Sequence, residues 1–189
     1  MLLNHKYIAE DKEADMENIT LIGMPGAGKS TVGIVLAKVL GYDFIDSDLL
    51  IQKEEGKLLW QIMRDEGIAG FNQIEERVNS QINVTHSVIA TGGSVIYGPK
   101  AMEHLRSIST VVYLKVNYRT LRRRLGDLNK RGVVLKPGQS LSDLYQERTP
   151  LYEQYAHRIV SVGGKNVQQS VEEIINALSD SSAVDTRGQ

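Results

Sequence analysis

A glycine-rich stretch near the N-terminus constrains this 189-residue chain more than any other part of its sequence. Residues 23–30 read Gly-Met-Pro-Gly-Ala-Gly-Lys-Ser, which fits the pattern G-x-x-x-x-G-K-[ST] of a loop that joins a strand to a helix and surrounds phosphate groups. Both neighbours are present, because a short branched apolar run at 19–23 leads into the loop and apolar residues at helical spacing follow it. The sequence therefore predicts a strand, a phosphate-binding loop and a helix, in that order.

Each residue type in this loop has a physical task at a triphosphate. Glycines let successive backbone N–H groups turn inward, and the helix that begins near Lys29 directs its positive dipole end at the anion. Lys29 adds a positive charge for the β and γ phosphates, and the hydroxyl of Ser30 is a ligand for Mg²⁺. We predict that the nucleotide is held by Gly23, Pro25, Gly26, Ala27, Gly28, Lys29, Ser30 and Thr31.

A motif that the chain lacks bears on which nucleotide it binds. A phosphate loop alone does not separate kinases from ATPases and GTPases. The sequence has no Asn-Lys-x-Asp set for guanine, since the Asn-Lys at 129–130 continues into Arg131 and Gly132. GTP is therefore the less favoured nucleotide.

Apolar runs of strand length alternate with stretches of helical period along the chain. This alternation is typical of an α/β fold in which helices flank a parallel sheet. We predict a single domain at 18–178, with a peripheral N-terminal extension at 1–17, a flexible tail at 179–189 and a mobile, Gly- and Pro-containing lid at about 126–140. The predicted strands lie at 19–23, 42–45, 88–91, 110–114 and 159–162.

Charge and cysteine content exclude several classes of function. The formal net charge is −1 and the chain has no cysteine, so it has no global field for nucleic acid or an anionic membrane, and no disulfide, thiolate metal site or thiol nucleophile. No apolar run approaches the roughly 18 residues of a membrane helix. We expect a cytoplasmic monomer that acts on a small molecule.

Two carboxylates follow the second predicted strand, at Asp46 and Asp48. In an extended segment they would share a face at the carboxyl edge of the sheet, where open parallel sheets bind ligands. One would then lie close to Mg²⁺ and the other would orient an acceptor hydroxyl. The alternative is a helix N-cap, because an Asp before the apolar run at 49–51 is a good cap.

Four other features complete the candidate acceptor and nucleotide sites. Gly92 and Gly93 expose backbone to a small ligand, or form an ordinary tight turn. One arginine of 122–124 stacks over an adenine ring, or all three belong to a solvated helix face. Arg131, in the predicted lid, neutralises the γ-phosphate on closure. Arg148 either binds a carboxylate through two of its nitrogen atoms or is an ordinary surface residue.

Over residues 19–178 the chain resembles the shikimate kinase family. The resemblance is carried by the phosphate loop at 23–31, the acids within 44–48, the segment 71–76, the turn at 91–95, the lid Arg131 and the run at 148–152. It implies a P-loop fold like that of nucleoside monophosphate kinases, a three-layer sandwich with a five-stranded parallel sheet, that transfers the γ-phosphate of ATP to a hydroxyl of shikimate.

The resemblance also implies a role for each matching residue. Lys29, Asp48 and Arg131 would be catalytic, Ser30 and Asp46 would serve Mg²⁺, and Arg124 would lie against the nucleotide base. Substrate would be bound by Asp48, Asn72, Gly92, Gly93 and Arg148.

This chain departs from the family pattern on the acceptor side and in the lid. Asn72 stands where the family has an arginine that shares the shikimate carboxylate, Ser94 replaces a third glycine, and Gly-Val-Val follows Arg131 in place of Pro-Leu-Leu. Three hypotheses follow: a kinase of shikimate, a kinase of another small polyol or hydroxy acid in which Asn72 recognises a neutral group, and a nucleotide-binding regulatory protein without turnover.

Overall fold

The computed structural model describes residues 18–125, 135–136 and 138–180. Within these residues the strands, β1 to β5, are Asn18–Ile22, Asp43–Asp46, Ser87–Ala90, Ser109–Lys115 and Arg158–Ser161. The helices, α1 to α7, are Lys29–Leu40, Ser47–Glu55, Leu59–Ser80, Pro99–Ile108, Tyr118–Leu125, Leu141–Tyr155 and Val167–Ser179. The predicted α/β class is confirmed, and each predicted strand differs from the observed one by a single residue at either end.

All five strands are parallel and lie in the order β2-β3-β1-β4-β5. Every residue of the central strand β1 is buried, as expected for a parallel strand whose two faces are covered. Leu21 of β1 and Asp46 of β2 both align with Ala90 of β3, so these three strands end at one level. The loops that follow them therefore meet at a single edge of the sheet, where open parallel sheets bind ligands.

A second, smaller apolar core lies outside the sheet. The main core joins the five strands to the helices that pack on them, whereas Ile51, Ile62, Phe71 and Val78 form a separate cluster between α2 and α3. Helix α3 changes direction at Gly67, where φ is 68° and ψ is −176°. The α2–α3 pair is thus a unit of its own beside the phosphate loop, and it carries Asp48 and Asn72.

Parts of three sequence-based segment predictions lie outside the described residues. These are the extension at 1–17, most of the lid at 126–140, including Arg131, and the tail, of which Ser179 still belongs to α7. After the lid segment, α6 begins with Ser140 as its N-cap, whose side chain accepts a hydrogen bond from the backbone N–H of Asp143. No helix among the described residues has the length and apolar character to span a membrane.

Candidate active site

A cavity of about 930 Å³ opens at the edge where the three loops meet. Gly23 and Asp46 are not among its lining residues, and Arg131 lies outside the part of the chain that the structure describes. All other predicted site residues line the cavity: Pro25, Gly26, Ala27, Gly28, Lys29, Ser30, Thr31, Asp48, Asn72, Gly92, Gly93, Arg124 and Arg148. One chain therefore brings the phosphate loop and the candidate acceptor residues to the same cavity.

The phosphate loop ends at a helix N-terminus that is suited to an anion. Gly28 is the N-cap of α1, with φ at 103° and ψ at 16°, a left-handed conformation that residues with a side chain rarely adopt. Ser30 and Thr31 are exposed in the first turn, which contains no acidic residue. The first N–H groups of α1 and its positive dipole end therefore face the cavity without a competing carboxylate from the helix itself.

Lys29 folds back onto the loop that it follows. Its Nζ donates hydrogen bonds to the carbonyl oxygens of Gly23 at 2.8 Å and Met24 at 3.2 Å. Burial lowers the pKa of Lys29 to about 8, an effect that the carboxylate of Asp48 opposes. A phosphate oxygen carries more negative charge than a carbonyl oxygen, so the ammonium group would bind a phosphate more strongly than it binds these carbonyls.

Asp46 and Asp48 have different positions, and of the two alternatives for this segment the structure has the helix cap and not the extended chain. Helix α2 begins at Ser47, and the Oδ1 atom of Asp46 caps it by accepting the backbone N–H of Asp48 at 3.0 Å. Asp48 lies in the first turn of α2 and lines the cavity. Burial raises the pKa of Asp48, and the ammonium group of Lys29 opposes that rise. The helix-cap alternative therefore describes Asp46, and Asp48 is the carboxylate that faces a ligand.

The turn after β3 brings acidic and basic groups together. A Cβ atom on Gly92 would stand 2.1 Å from Oε1 of Glu75 and 2.9 Å from Oδ1 of Asp48, which is closer than such atoms approach. A Cβ atom on Gly93 would stand 3.1 Å from Nη1 of Arg148. A side chain at Gly92 would meet the carboxylates of α2 and α3, and one at Gly93 would first meet Pro25 of the phosphate loop, whose Cδ would stand 2.7 Å away.

Glu75 is a cavity residue to which the sequence analysis assigned no role. Its side chain is 1% exposed, and neither carboxyl oxygen has a hydrogen-bond partner among the described residues. Burial, assisted by the Asp48 carboxylate, raises the pKa of Glu75 from 4.5 to about 7, although the nearby Ser94 hydroxyl and Arg148 oppose the rise. The available signal was its spacing, since a residue three positions after Asn72 lies on the same helix face.

The raised pKa of Glu75 predicts a stability effect with a defined sign. Between about pH 4.5 and 7 the unfolded chain has lost this proton and the folded chain has kept it, so the free energy of unfolding falls as the pH rises through that window. We expect Glu75→Gln to match the parent at pH 4 and to be more stable by about 2 to 3 kcal/mol at pH 8. Urea unfolding at both pH values measures this difference.

The matched control is Glu66→Gln, which changes an exposed carboxylate on the same helix and should leave the stability difference between pH 4 and pH 8 as it is in the parent. A Glu75→Gln variant whose stability parallels that of the parent at all pH values would contradict the raised pKa.

A sequence profile of shikimate kinases matches residues 25–179. The chain belongs to the shikimate kinase family. The shikimate kinase of Paracidovorax citrulli is 40% identical over 167 residues, which cover 85% of this chain and 91% of the relative. That of Chlorobium chlorochromatii is 38% identical over 171 residues, covering 85% and 90%.

Solved structures of shikimate kinases share the fold. The shikimate kinase from Acinetobacter baumannii in complex with shikimate superposes with a TM-score of 0.79 at 33% identity, covering 86% of this chain and 93% of the other. The enzyme from Aquifex aeolicus superposes with a TM-score of 0.73 at 31% identity, covering 85% and 95%. The family resemblance drawn from the motifs is thus confirmed over the domain.

The position at which this chain departs from the shikimate kinase pattern, Asn72, lines the cavity. Arg77 is the nearest arginine that follows it on α3, but its guanidinium pairs with Glu54 at 2.8 Å and Glu55 at 2.6 Å on the exposed surface. Arg77 therefore does not supply the missing cation. On the acceptor side, among the described lining residues, Arg148 is the arginine that remains.

On the phosphate-loop side, the cavity is lined by Arg124, a predicted site residue, and by a segment that sequence reasoning did not single out. The Nη1 atom of Arg124 donates to the carbonyl oxygen of Ala27 at 3.0 Å and so ties α5 to the phosphate loop. Opposite, the segment that follows β5 lines the cavity with Lys165, Asn166, Val167 and Ser170. Its position after the last strand was the available signal, because loops at the carboxyl ends of parallel strands carry ligand contacts.

The donor groups at the cavity fit Mg²⁺ that arrives with a nucleotide. The described residues contain no group of three or more His, Cys, Asp or Glu side chains that would hold a metal ion unaided. Mg²⁺ does not need such a cage, since it is commonly bound through one or two protein oxygens, substrate phosphates and water. The exposed Ser30 hydroxyl at the start of α1 and the Asp48 carboxylate line the cavity and are oxygen donors of this kind, and Asp46, outside the lining, is close enough to Lys29 to act on its charge.

Proposed function

We propose that this chain is a kinase that transfers the γ-phosphate of ATP to a hydroxyl of shikimate and yields shikimate 3-phosphate, a step of aromatic amino acid biosynthesis. The observation that carries the proposal is the single cavity in which the phosphate loop faces Asp48 and Arg148. Membership of the shikimate kinase family and the likeness to a shikimate complex support it.

The proposed mechanism assigns one task to each group. Backbone N–H groups of the phosphate loop and Lys29 bind the β and γ phosphates, and Asp48 accepts the hydrogen of the acceptor hydroxyl and directs its oxygen toward phosphorus. Arg148 binds the acceptor carboxylate. Ser30 and Asp46 would hold Mg²⁺, which would neutralise phosphate charge when bound. Arg131 binds the γ-phosphoryl group that is transferred, and Arg124 lies against the base of the nucleotide.

A coupled assay of ATP consumption tests the proposal. Saturable turnover with shikimate at submillimolar concentration supports it. Activity with another polyol or hydroxy acid and none with shikimate would show that the acceptor is not shikimate. Binding of ATP without turnover on any acceptor would indicate a regulatory nucleotide-binding protein.

The acceptor side of the cavity has one arginine where the family pattern has two, and restoring the second at position 72 should have a measurable effect. Asn72→Arg should lower the KM for shikimate about 10-fold, because a second charge-assisted contact to the carboxylate adds roughly 1.5 kcal/mol. Glu75, one helical turn away, would balance the new charge. Steady-state kinetics with shikimate as the varied substrate measure the change.

Gln73→Arg is the matched control, since it adds the same charge at an exposed neighbouring position and should leave this KM unchanged. A higher KM for shikimate in Asn72→Arg would favour an acceptor without a carboxylate.

We further propose that the chain acts as a monomer in the cytoplasm, with neither nucleic acid nor a membrane as its partner. The cavity supports a monomer, because residues of one chain line it. A formal net charge of −1 supports the absence of nucleic acid and membrane partners. Sedimentation of the purified chain at working concentration tests the oligomeric state.

A further inference from the structure

The guanidinium of Arg148 is held by an aromatic residue from another part of the chain. Tyr97 ends a short 3-10 turn, Val95–Tyr97, that follows the glycine turn after β3. The Nε atom of Arg148 donates a hydrogen bond to the Tyr97 hydroxyl at 3.2 Å, and Cζ lies 5.1 Å from the centroid of the ring. A planar cation over an aromatic ring and a hydrogen bond from its inner nitrogen restrain both the position and the rotation of the group.

The hydroxyl of Tyr97 is fixed from its other side as well. It donates a hydrogen bond to Oε1 of Glu147 at 2.6 Å, and Glu147 also accepts hydrogen bonds from Gln139 at 2.7 Å and Lys136 at 3.2 Å. Burial and the contact with Glu147 raise the pKa of Tyr97, so the hydroxyl stays protonated at neutral pH. It accepts from a cation while donating to an anion, an arrangement in which each hydrogen bond strengthens the other.

These contacts, together with the buried Tyr152 hydroxyl that also interacts with Arg148, determine which edge of Arg148 is presented to a ligand. Nε is engaged by Tyr97, whereas Nη1 lies beside Gly93 at the cavity. Because the guanidinium is rigid and planar, restraining Nε and the plane of the group also fixes the directions of its outer nitrogens. With Asn72 in place of a second arginine, the pocket depends on this one guanidinium for an acceptor carboxylate.

We propose that Tyr97 is a positioning residue of the acceptor site, which holds the Arg148 guanidinium in the orientation that binds an acceptor carboxylate. Tyr97 itself does not line the cavity, so it acts through Arg148. Holding the guanidinium in place before binding reduces the side-chain entropy lost when the acceptor arrives. The inference rests on the proposed function, because Arg148 has this task only if the acceptor carries a carboxylate.

Two substitutions separate the contributions of the hydroxyl and the ring. Tyr97→Phe keeps the ring and should raise the KM for shikimate about 5- to 10-fold, while Tyr97→Leu removes both contacts and should raise it about 30-fold or more. The KM for ATP should stay within about twofold of the parent value, because the phosphate loop is unchanged. A loss confined to kcat, or equal losses for both substrates, would overturn the proposal.

Tyr145→Phe is the matched control. Tyr145 lies on α6 three residues before Arg148, and its hydroxyl donates to the carbonyl oxygen of Val116 at 3.1 Å, so this variant also loses one tyrosine hydrogen bond without touching Arg148. It should leave the KM for shikimate unchanged. A rise equal to that in Tyr97→Phe would show a general effect of destabilising α6 and overturn the proposal.

A double-substitution cycle tests whether Tyr97 acts through Arg148. In an Arg148→Lys background the inner nitrogen and the planar group are gone, so adding Tyr97→Phe should raise the KM for shikimate by less than about twofold further. Independent, multiplicative effects of the two substitutions would overturn the proposal.

A measurement that does not depend on turnover keeps this test separate from that of the proposed function. The Nε–H resonance of Arg148, assigned by its loss in Arg148→Lys, should shift in Tyr97→Phe as the hydrogen bond is lost, and shift further in Tyr97→Leu as the ring is removed. If the parent protein is inactive on shikimate, the proposed function fails while this resonance still reports whether Tyr97 holds Arg148. A resonance unchanged in both variants would overturn the proposal.

Discussion

Lys29→Ala is expected to lower kcat/KM by about 10³-fold or more, because it removes a positive charge at the phosphates where charge develops in the transition state. The fold should survive. In the structure the Lys29 ammonium contacts two carbonyl oxygens of the phosphate loop, and burial already lowers its pKa to about 8. Removing a charge that the interior disfavours offsets the loss of those contacts. Single-turnover rates and thermal unfolding measure the two effects separately.

Lys38→Ala is the matched control for this substitution. Lys38 lies in the last turn of the same helix and is exposed, so its loss changes the net charge equally without touching the loop. We expect full activity. A Lys29→Ala variant that retains turnover within tenfold of the parent would remove Lys29 from the mechanism.

Asp48→Asn is expected to lower kcat by about 10² to 10⁴-fold and leave the KM for ATP nearly unchanged. The asparagine amide has nearly the shape of the carboxylate but does not accept the proton of the acceptor hydroxyl. The environment suits this task, because burial raises the pKa of Asp48 while the Lys29 ammonium opposes that rise. Pre-steady-state measurement of phosphoryl transfer tests the prediction.

Asp46→Asn distinguishes a metal role from an acceptor role. Asparagine caps helices as well as aspartate does, so the cap on α2 that Asp46 supplies is kept while its charge is lost. If Asp46 serves Mg²⁺, raising the Mg²⁺ concentration should restore the rate of Asp46→Asn, and it should not restore that of Asp48→Asn. A kcat for Asp48→Asn within about threefold of the parent, less than general base removal costs, would contradict the assigned role.

The fold could be predicted because its signals are local. The short strands, such as the buried β1, and the amphipathic α1 each follow from residues adjacent in sequence, and the phosphate loop needs glycine where the backbone is left-handed, as at Gly28. The sequence left two alternatives open at Asp46 and Asp48, an extended segment or a helix cap, and the structure has a helix that starts at Ser47 with Asp46 as its cap. Strand and helix signals overlap within so short a segment, and only the packing of α2 on α3 decides between them.

Some residues of the candidate site could be predicted from the sequence and others could not. Lys29, Ser30 and Arg148 were identified from motifs along the chain. Glu75 and Tyr97 were not, because what distinguishes each is its contact with residues far away in sequence: Glu75 meets Asp48 over Gly92, and Tyr97 is 51 residues from Arg148. Backbone geometry and periodicity are determined by residues that are neighbours in the sequence. Burial, pKa and the pairing of side chains arise only when the folded chain places distant groups within a few ångströms of one another.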